Sequence, residues 1–140
     1  MTEQQTTADQ QQRRTLHTGY ARVYNGWGED LAQITLRHRR DNDPAKEETK
    51  TWRAVKTAEW TPENDKLKFT YETGMGSDYD YWWIKVVTLN NKTYVCKDNF
   101  YCSVSSDDDG NVKVTVDGAS KEMVIEFSSS SGCTVSLDEE

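Results

Sequence analysis

Val112-Lys113-Val114-Thr115-Val116-Asp117-Gly118-Ala119-Ser120-Lys121-Glu122-Met123-Val124-Ile125-Glu126-Phe127 alternates apolar and polar residues twice, with an Asp-Gly turn between the two runs. Successive side chains of an extended segment point to opposite faces, so Val112, Val114 and Val116 share one face, as do Met123, Ile125 and Phe127. The pattern predicts a β-hairpin with one buried face, its turn at Asp117-Gly118-Ala119-Ser120. Beyond Ser128–Ser131 and Gly132, the alternation of Cys133, Val135 and Leu137 predicts a third strand.

Towards the N-terminus the same vocabulary of Val, Ile, Thr, Tyr and Trp recurs between Gly, Asn, Asp and Ser. It predicts strands at 19–24, 31–38, 51–55, 67–71, 81–89, 93–96 and 101–105, about ten in all with the C-terminal three. Short strands at intervals of about 8 to 15 residues, without a helical i, i+3, i+4 stretch, predict an all-β fold, an antiparallel β-sandwich. The charged segment 39–48 reads as a long surface loop. Residues 1–15, rich in Gln and Thr, bury too little to offset their ordering entropy and read as a disordered tail. Residues 16–140 then form a single domain, consistent with 140 residues in total.

The chain carries a net charge of −7, which argues against nucleic acid and anionic lipid, both of which need dense Lys and Arg. The excess lies in the second half: residues 1–60 hold ten basic and nine acidic side chains, residues 61–140 seven and fifteen. A neutral, zwitterionic or cationic ligand suits that half better. No nucleophile elbow, P-loop or dinucleotide fingerprint occurs, and two His without ligand-spaced partners support neither a metal nor a catalytic triad. The reading is a non-enzyme with no cofactor. Asp107-Asp108-Asp109-Gly110-Asn111 lacks the spacing of a calcium loop and reads as an acidic hairpin turn. Asn91-Lys92-Thr93 reads as a hairpin turn.

Thr73-Gly74-Met75-Gly76-Ser77-Asp78-Tyr79-Asp80-Tyr81-Trp82-Trp83 carries the densest recognition chemistry, a glycine-loosened loop entering four aromatics interleaved with carboxylates. Trp82, Ile84 and Val86 fall on one strand face and belong to the core. Tyr79, Tyr81, Trp83 and Lys85 fall on the other, and form either an aromatic stripe open to a ligand or a face covered by the long loop. Asp78 and Asp80 are the candidate acceptors for ammonium or hydroxyl groups. Trp27, in a Gly-flanked turn, either folds back onto the sandwich or stands exposed to a partner. Trp52 and Trp60 read as core or edge covers.

Three cysteines without C-x-x-C spacing signal neither a disulfide framework nor a zinc site. Cys102 and Cys133 are expected buried and reduced. With no apolar leader at Met1–Gln5, the expected location is the cytoplasm, or outside the cell by a route without a signal peptide.

The order Ala21-Arg22-Val23-Tyr24-Asn25, the strand 31–38 ending in basic residues, a lone Trp, Gly74 followed by Asp80-Tyr81-Trp82-Trp83-Ile84, then Tyr94, Phe100, Cys102 and the terminal Ser-Ser-Gly-Cys segment resembles the "up-regulated in Daf" domain family. The resemblance spans about residues 19–137. It implies a fold similar to the aegerolysins, which are small acidic β-sandwiches, and no catalytic activity. Aegerolysins recognise membrane sphingolipids and can recruit pore-forming partners; the nematode relatives form dimers. The function expected is therefore recognition of a zwitterionic lipid or sphingolipid headgroup, or a similar amphipathic ligand, through Trp27 and Tyr79–Trp83. Two alternatives use the same residues: a lectin-like protein stacking a sugar on Trp27 or Trp83, and a homo- or hetero-dimer.

Overall fold

The computed structural model describes residues 14–140, and the fold is a sandwich of two five-stranded sheets. The strands are β1 (Thr15–Gly26), β2 (Leu31–Arg40), β3 (Glu47–Val55), β4 (Leu67–Thr73), β5 (Asp80–Thr88), β6 (Thr93–Val95), β7 (Asn111–Asp117), β8 (Glu122–Glu126), β9 (Cys133–Ser136) and β10 (Asp138–Glu139). The first sheet runs β4-β1-β7-β8-β9 and the second β10-β6-β5-β2-β3. No α-helix occurs among the described residues. No helix among them is long and apolar enough to cross a membrane.

The period-two pattern decides which face goes inward. Val112, Val114 and Val116 on β7, Met123 and Ile125 on β8, and Trp82, Ile84 and Val86 on β5 are all buried, and together with Ile34, Leu36 and Phe69 they fill the space between the sheets. The hairpin predicted from 112–127 forms with Thr115 opposite Val124.

Several expectations are corrected. The tail assigned to residues 1–15 lies outside the described residues up to position 13; strand β1 is already under way at Thr15, where it pairs with Thr73. Segment 39–48 is not a long loop. β2 and β3 continue through it, paired as far as Arg39 and Glu47, and a short turn with a single 3-10 turn at Pro44–Lys46 joins them. The segment 101–105 is not a strand; it makes one bridge, Tyr81 to Tyr101, before the carboxylate of Asp80 takes the Val104 N–H that a ladder would need. The tenth strand is instead β10, two residues paired with β6. Among the described residues one strand pair, β1 with β7, is parallel, while every other pair is antiparallel.

Cys102 and Cys133 form a disulfide, contrary to the expectation of two free thiols. The expectation treated each cysteine as a small hydrophobe on its own strand. The fold brings the segment after β6 against β9, so that their α-carbons lie 6.0 Å apart, a separation a disulfide spans. Cys96 stays free and buried, and burial pushes its thiol pKa up.

Candidate functional site

The β4–β5 connection and the start of β5 carry the residues singled out in the sequence. Gly74 and Gly76 have φ of +102° and +75°, values that glycine adopts without strain and that turn the chain sharply ahead of the aromatics. Glu72 then accepts the Asp78 N–H at 2.9 Å, and Asp78 pairs with Lys46 at 3.1 Å. The Tyr79 carbonyl accepts the Asp41 N–H from the β2–β3 turn. The loop is thus fastened on both sides, and Tyr79 stands on a fixed backbone.

Tyr79 is 56% exposed, and its ring stacks on that of Tyr101, 58% exposed, at a centroid distance of 5.3 Å. Tyr81 packs against the same Tyr101 at 5.9 Å. Trp83, the next outward residue along β5, is half-buried beneath Arg37, whose guanidinium lies 5.1 Å from the ring and is held by Asp98. Of the two readings offered for this face, the open one holds for Tyr79 and, in part, for Tyr81. The β2–β3 connection does not cover them, because it is a short turn rather than a long loop.

Asp80 is misplaced as a ligand contact. Flanked by Tyr79 and Tyr81 in sequence, it alternates inward and is fully buried. One carboxylate oxygen lies 2.7 Å from His38 Nε2 and the other accepts the Val104 N–H at 2.9 Å. On the other side of the ring, His38 Nδ1 lies 2.6 Å from Glu48. The second oxygen of Glu48 accepts the N–H and hydroxyl of Thr70, so the network crosses from β3 in the second sheet to β4 in the first. With a carboxylate on each nitrogen, the arrangement favours the protonated imidazole, which can donate from both. Burial alone would lower the pKa of His38, but the hydrogen bonds and charges of Asp80 and Glu48 outweigh it and the net shift is upward. Glu48 is likewise opposed by burial, yet His38 and Thr70 hold its carboxyl below the ordinary value. Both ring nitrogens are already engaged, and no group of His, Cys, Asp or Glu among the described residues converges on a metal position.

Asp78 is one-fifth exposed and already engaged by Lys46 and Arg40. Trp27 does not join the site. It folds back, 9% exposed, against Tyr94 at 5.0 Å with the Lys121 ammonium over its ring. It also lies at the far end of β2: Arg40 pairs with Asp80 while Trp27 precedes Leu31, a distance of roughly 30 Å at about 3.3 Å per residue.

Tyr101 was missed as a site residue. Its alternation with buried Cys102 marks it as outward-facing, but only the fold shows that it meets Tyr79 and Tyr81. Leu16 and Met75, 59% and 63% exposed, were missed as well. Leu16 pairs with Glu72 on β4, and Met75 lies in the β4–β5 loop, so both occupy the same end of the sandwich as Tyr79 and Tyr101. The segment read as an acidic hairpin turn is a turn but joins no hairpin, since no strand precedes it after β6: Asp108 accepts from the backbone and hydroxyls of Ser105 and Ser130 and from the backbone of Ser129. Burial opposes its ionisation, but those bonds hold it well below the usual carboxylate range.

The fold and this end together define an all-β sandwich with a tyrosine-rich tip. Compared with known proteins, the chain matches no protein-family model and no curated protein sequence.

Proposed function

We propose that this protein is a non-enzymatic binding module that docks its tyrosine-rich end on the interface of a zwitterionic membrane. The observation that carries the reading is a sorting of exposed side chains: of the seven large exposed apolar residues among those described, Leu16, Met75, Tyr79 and Tyr101 lie at one end. Tyr rings settle where one edge is apolar and the other wet, and the tip pairs them with Leu and Met that can enter the acyl boundary. Tyr79, Tyr81 and Tyr101 also offer ring faces to a headgroup ammonium.

Charge favours a zwitterionic surface over an anionic one. Of the cations near the tip, Arg40 and Lys46 are already matched by Glu72 and Asp78, and Arg14 is spent on the Gly76 carbonyl at 3.3 Å, which leaves no cluster of cations among the described residues there for an anionic surface. The resemblance to the "up-regulated in Daf" family and its aegerolysin-like fold supports the same reading, with sphingolipid as the narrower ligand. The Cys102–Cys133 disulfide supports the secreted alternative of location, because cytosolic thiols are kept reduced.

Sedimentation with vesicles of phosphatidylcholine, of phosphatidylcholine with sphingomyelin, and of phosphatidylserine tests it. Binding to the first two is expected, weakened tenfold or more in a Tyr79→Ala, Tyr101→Ala double variant that melts like the parent. Binding to none of the three, or to phosphatidylserine alone, would sink the reading.

A further inference from the structure

Trp60 and Tyr20, 38% and 42% exposed, are the two large exposed aromatics among the described residues that the tip does not absorb, and they line adjoining cavities along the outward side of β1. The β3–β4 connection, residues 56–66, forms one bank of this groove. Three adjoining cavities of about 250, 330 and 270 Å³ follow that segment. The first, beside Trp60, shares Asp65 with the second; the second shares Tyr20, Glu63 and Lys66 with the third. Each is at or below the size that takes one small molecule, and in series they suit a chain of small units.

The aromatic platform is rigid. The Glu59 carbonyl accepts from Asn25, and the Thr61 N–H donates to Val23, so residues 59–61 run along β1 and Trp60 pairs with Tyr24. The Tyr24 ring supports the indole at 5.2 Å, and Arg22 lies over it at 5.2 Å. Trp60 therefore presents a ring already fixed before any ligand arrives, which removes an ordering cost from binding.

The polar lining decides the ligand class. Glu63 takes both Arg22 and Lys66, and Asp65 takes Lys50. These central charges are matched among themselves, so an ionic ligand there would have to break existing pairs; Arg53, Lys56 and Glu59 stand at the Trp60 end of the lining and Lys113 at the Tyr20 end. A neutral hydroxyl group does not: it donates to spare carboxylate lone pairs and accepts from remaining N–H groups. A pyranose combines such hydroxyls with an apolar C–H face suited to an indole or phenol ring.

We propose that this groove binds a neutral oligosaccharide, with Trp60 and Tyr20 as stacking platforms and Arg22, Glu63, Asp65 and Lys66 as hydroxyl partners. The site is separate from the tyrosine-rich end and does not depend on the membrane reading.

The test is tryptophan-fluorescence and calorimetric titration with di- to hexasaccharides of glucose, of mannose and of N-acetylglucosamine, accompanied by sialylated and sulfated glycans. At least one neutral series is expected to bind saturably and more tightly as the chain lengthens. Trp60→Ala and Tyr20→Ala should each weaken that binding tenfold or more, with Trp60→Phe keeping most of it. Tyr79→Ala should leave it unchanged, and Trp60→Ala should leave vesicle binding unchanged. No neutral series binding more tightly than about 1 mM, binding of charged glycans alone, or full affinity in a folded Trp60→Ala protein would each overturn the proposal.

Discussion

His38 shows how much a single buried side chain can commit. It is enclosed by Phe69 and Trp82 at 4.7 and 4.8 Å and reaches a carboxylate on either side. Its pKa is raised above the ordinary 6.5, so its stabilisation is complete below about that pH and is lost as pH rises through the folded value. Glu48 is held below the ordinary 4.5, so its stabilisation is complete above about that pH and is lost as pH falls through the folded value. Unfolding free energy, followed by urea denaturation, should therefore be greatest between about pH 4.5 and 6.5 in this respect and decline on both sides. In His38→Gln the alkaline decline should disappear. An unchanged alkaline slope in that variant would refute the assignment. Nothing in the sequence foretold this triad, because its members stand 10 and 42 residues from His38 and only strand register brings them together.

Strands were the most legible elements. Along β5 and β7, alternation alone named the buried residues, since a half-buried strand must repeat every second position. Legibility failed where something other than alternation decided the outcome. At Val104 a side chain took the backbone donor, and at Asp80 a charged residue occupied an inward position that its neighbours made suitable by pairing. Gly19 offers an element-level test. It sits in β1 opposite Phe69, where an added β-carbon would lie 2.5 Å from Phe69 Cζ and 2.7 Å from the Gly110 carbonyl. Phe69 cannot yield, being fully buried and wedged against His38 and Trp82. Gly19→Ala should cost about 1–3 kcal/mol or more by overpacking, read from the shift in denaturation midpoint. A variant as stable as the parent would show that β1 and β4 can part there.

At the scale of the whole molecule, the sandwich class was readable from strand spacing, but the pairing of distant strands was not. The parallel β1–β7 contact joins residues about ninety positions apart, and the disulfide fastens the segment after β6 to the rim of the first sheet. Alkylation of the denatured, unreduced protein should modify one thiol, Cys96, rather than three. Replacing Cys102 and Cys133 together by Ser should lower stability by about 2–4 kcal/mol, the usual worth of closing a loop of this length. It should also loosen Tyr101, adjacent to Cys102, and with it the stacked pair at the tip. Three modified thiols would remove both expectations. The two candidate sites differ in the same way: the tip was foreshadowed by one dense segment, whereas the Trp60 groove draws its lining from β1, β3, the 56–66 connection and β7.

The parallel pair also sets an order of events during synthesis. Four strands of the second sheet, β2, β3, β5 and β6, have left the ribosome once residue 95 is out, and neighbours in sequence can pair at once. β1 can add β4 early, but its other edge waits for β7 at residues 111–117, and β8 and β9 come later still. Until then the inner face of the second sheet, with Ile34, Leu36, Ile84 and Val86, is only partly roofed. Cys102 must wait for residue 133 as a free thiol. The nascent chain is thus most in need of a chaperone, and most open to a wrong cysteine partner, in the interval between residues 95 and 133.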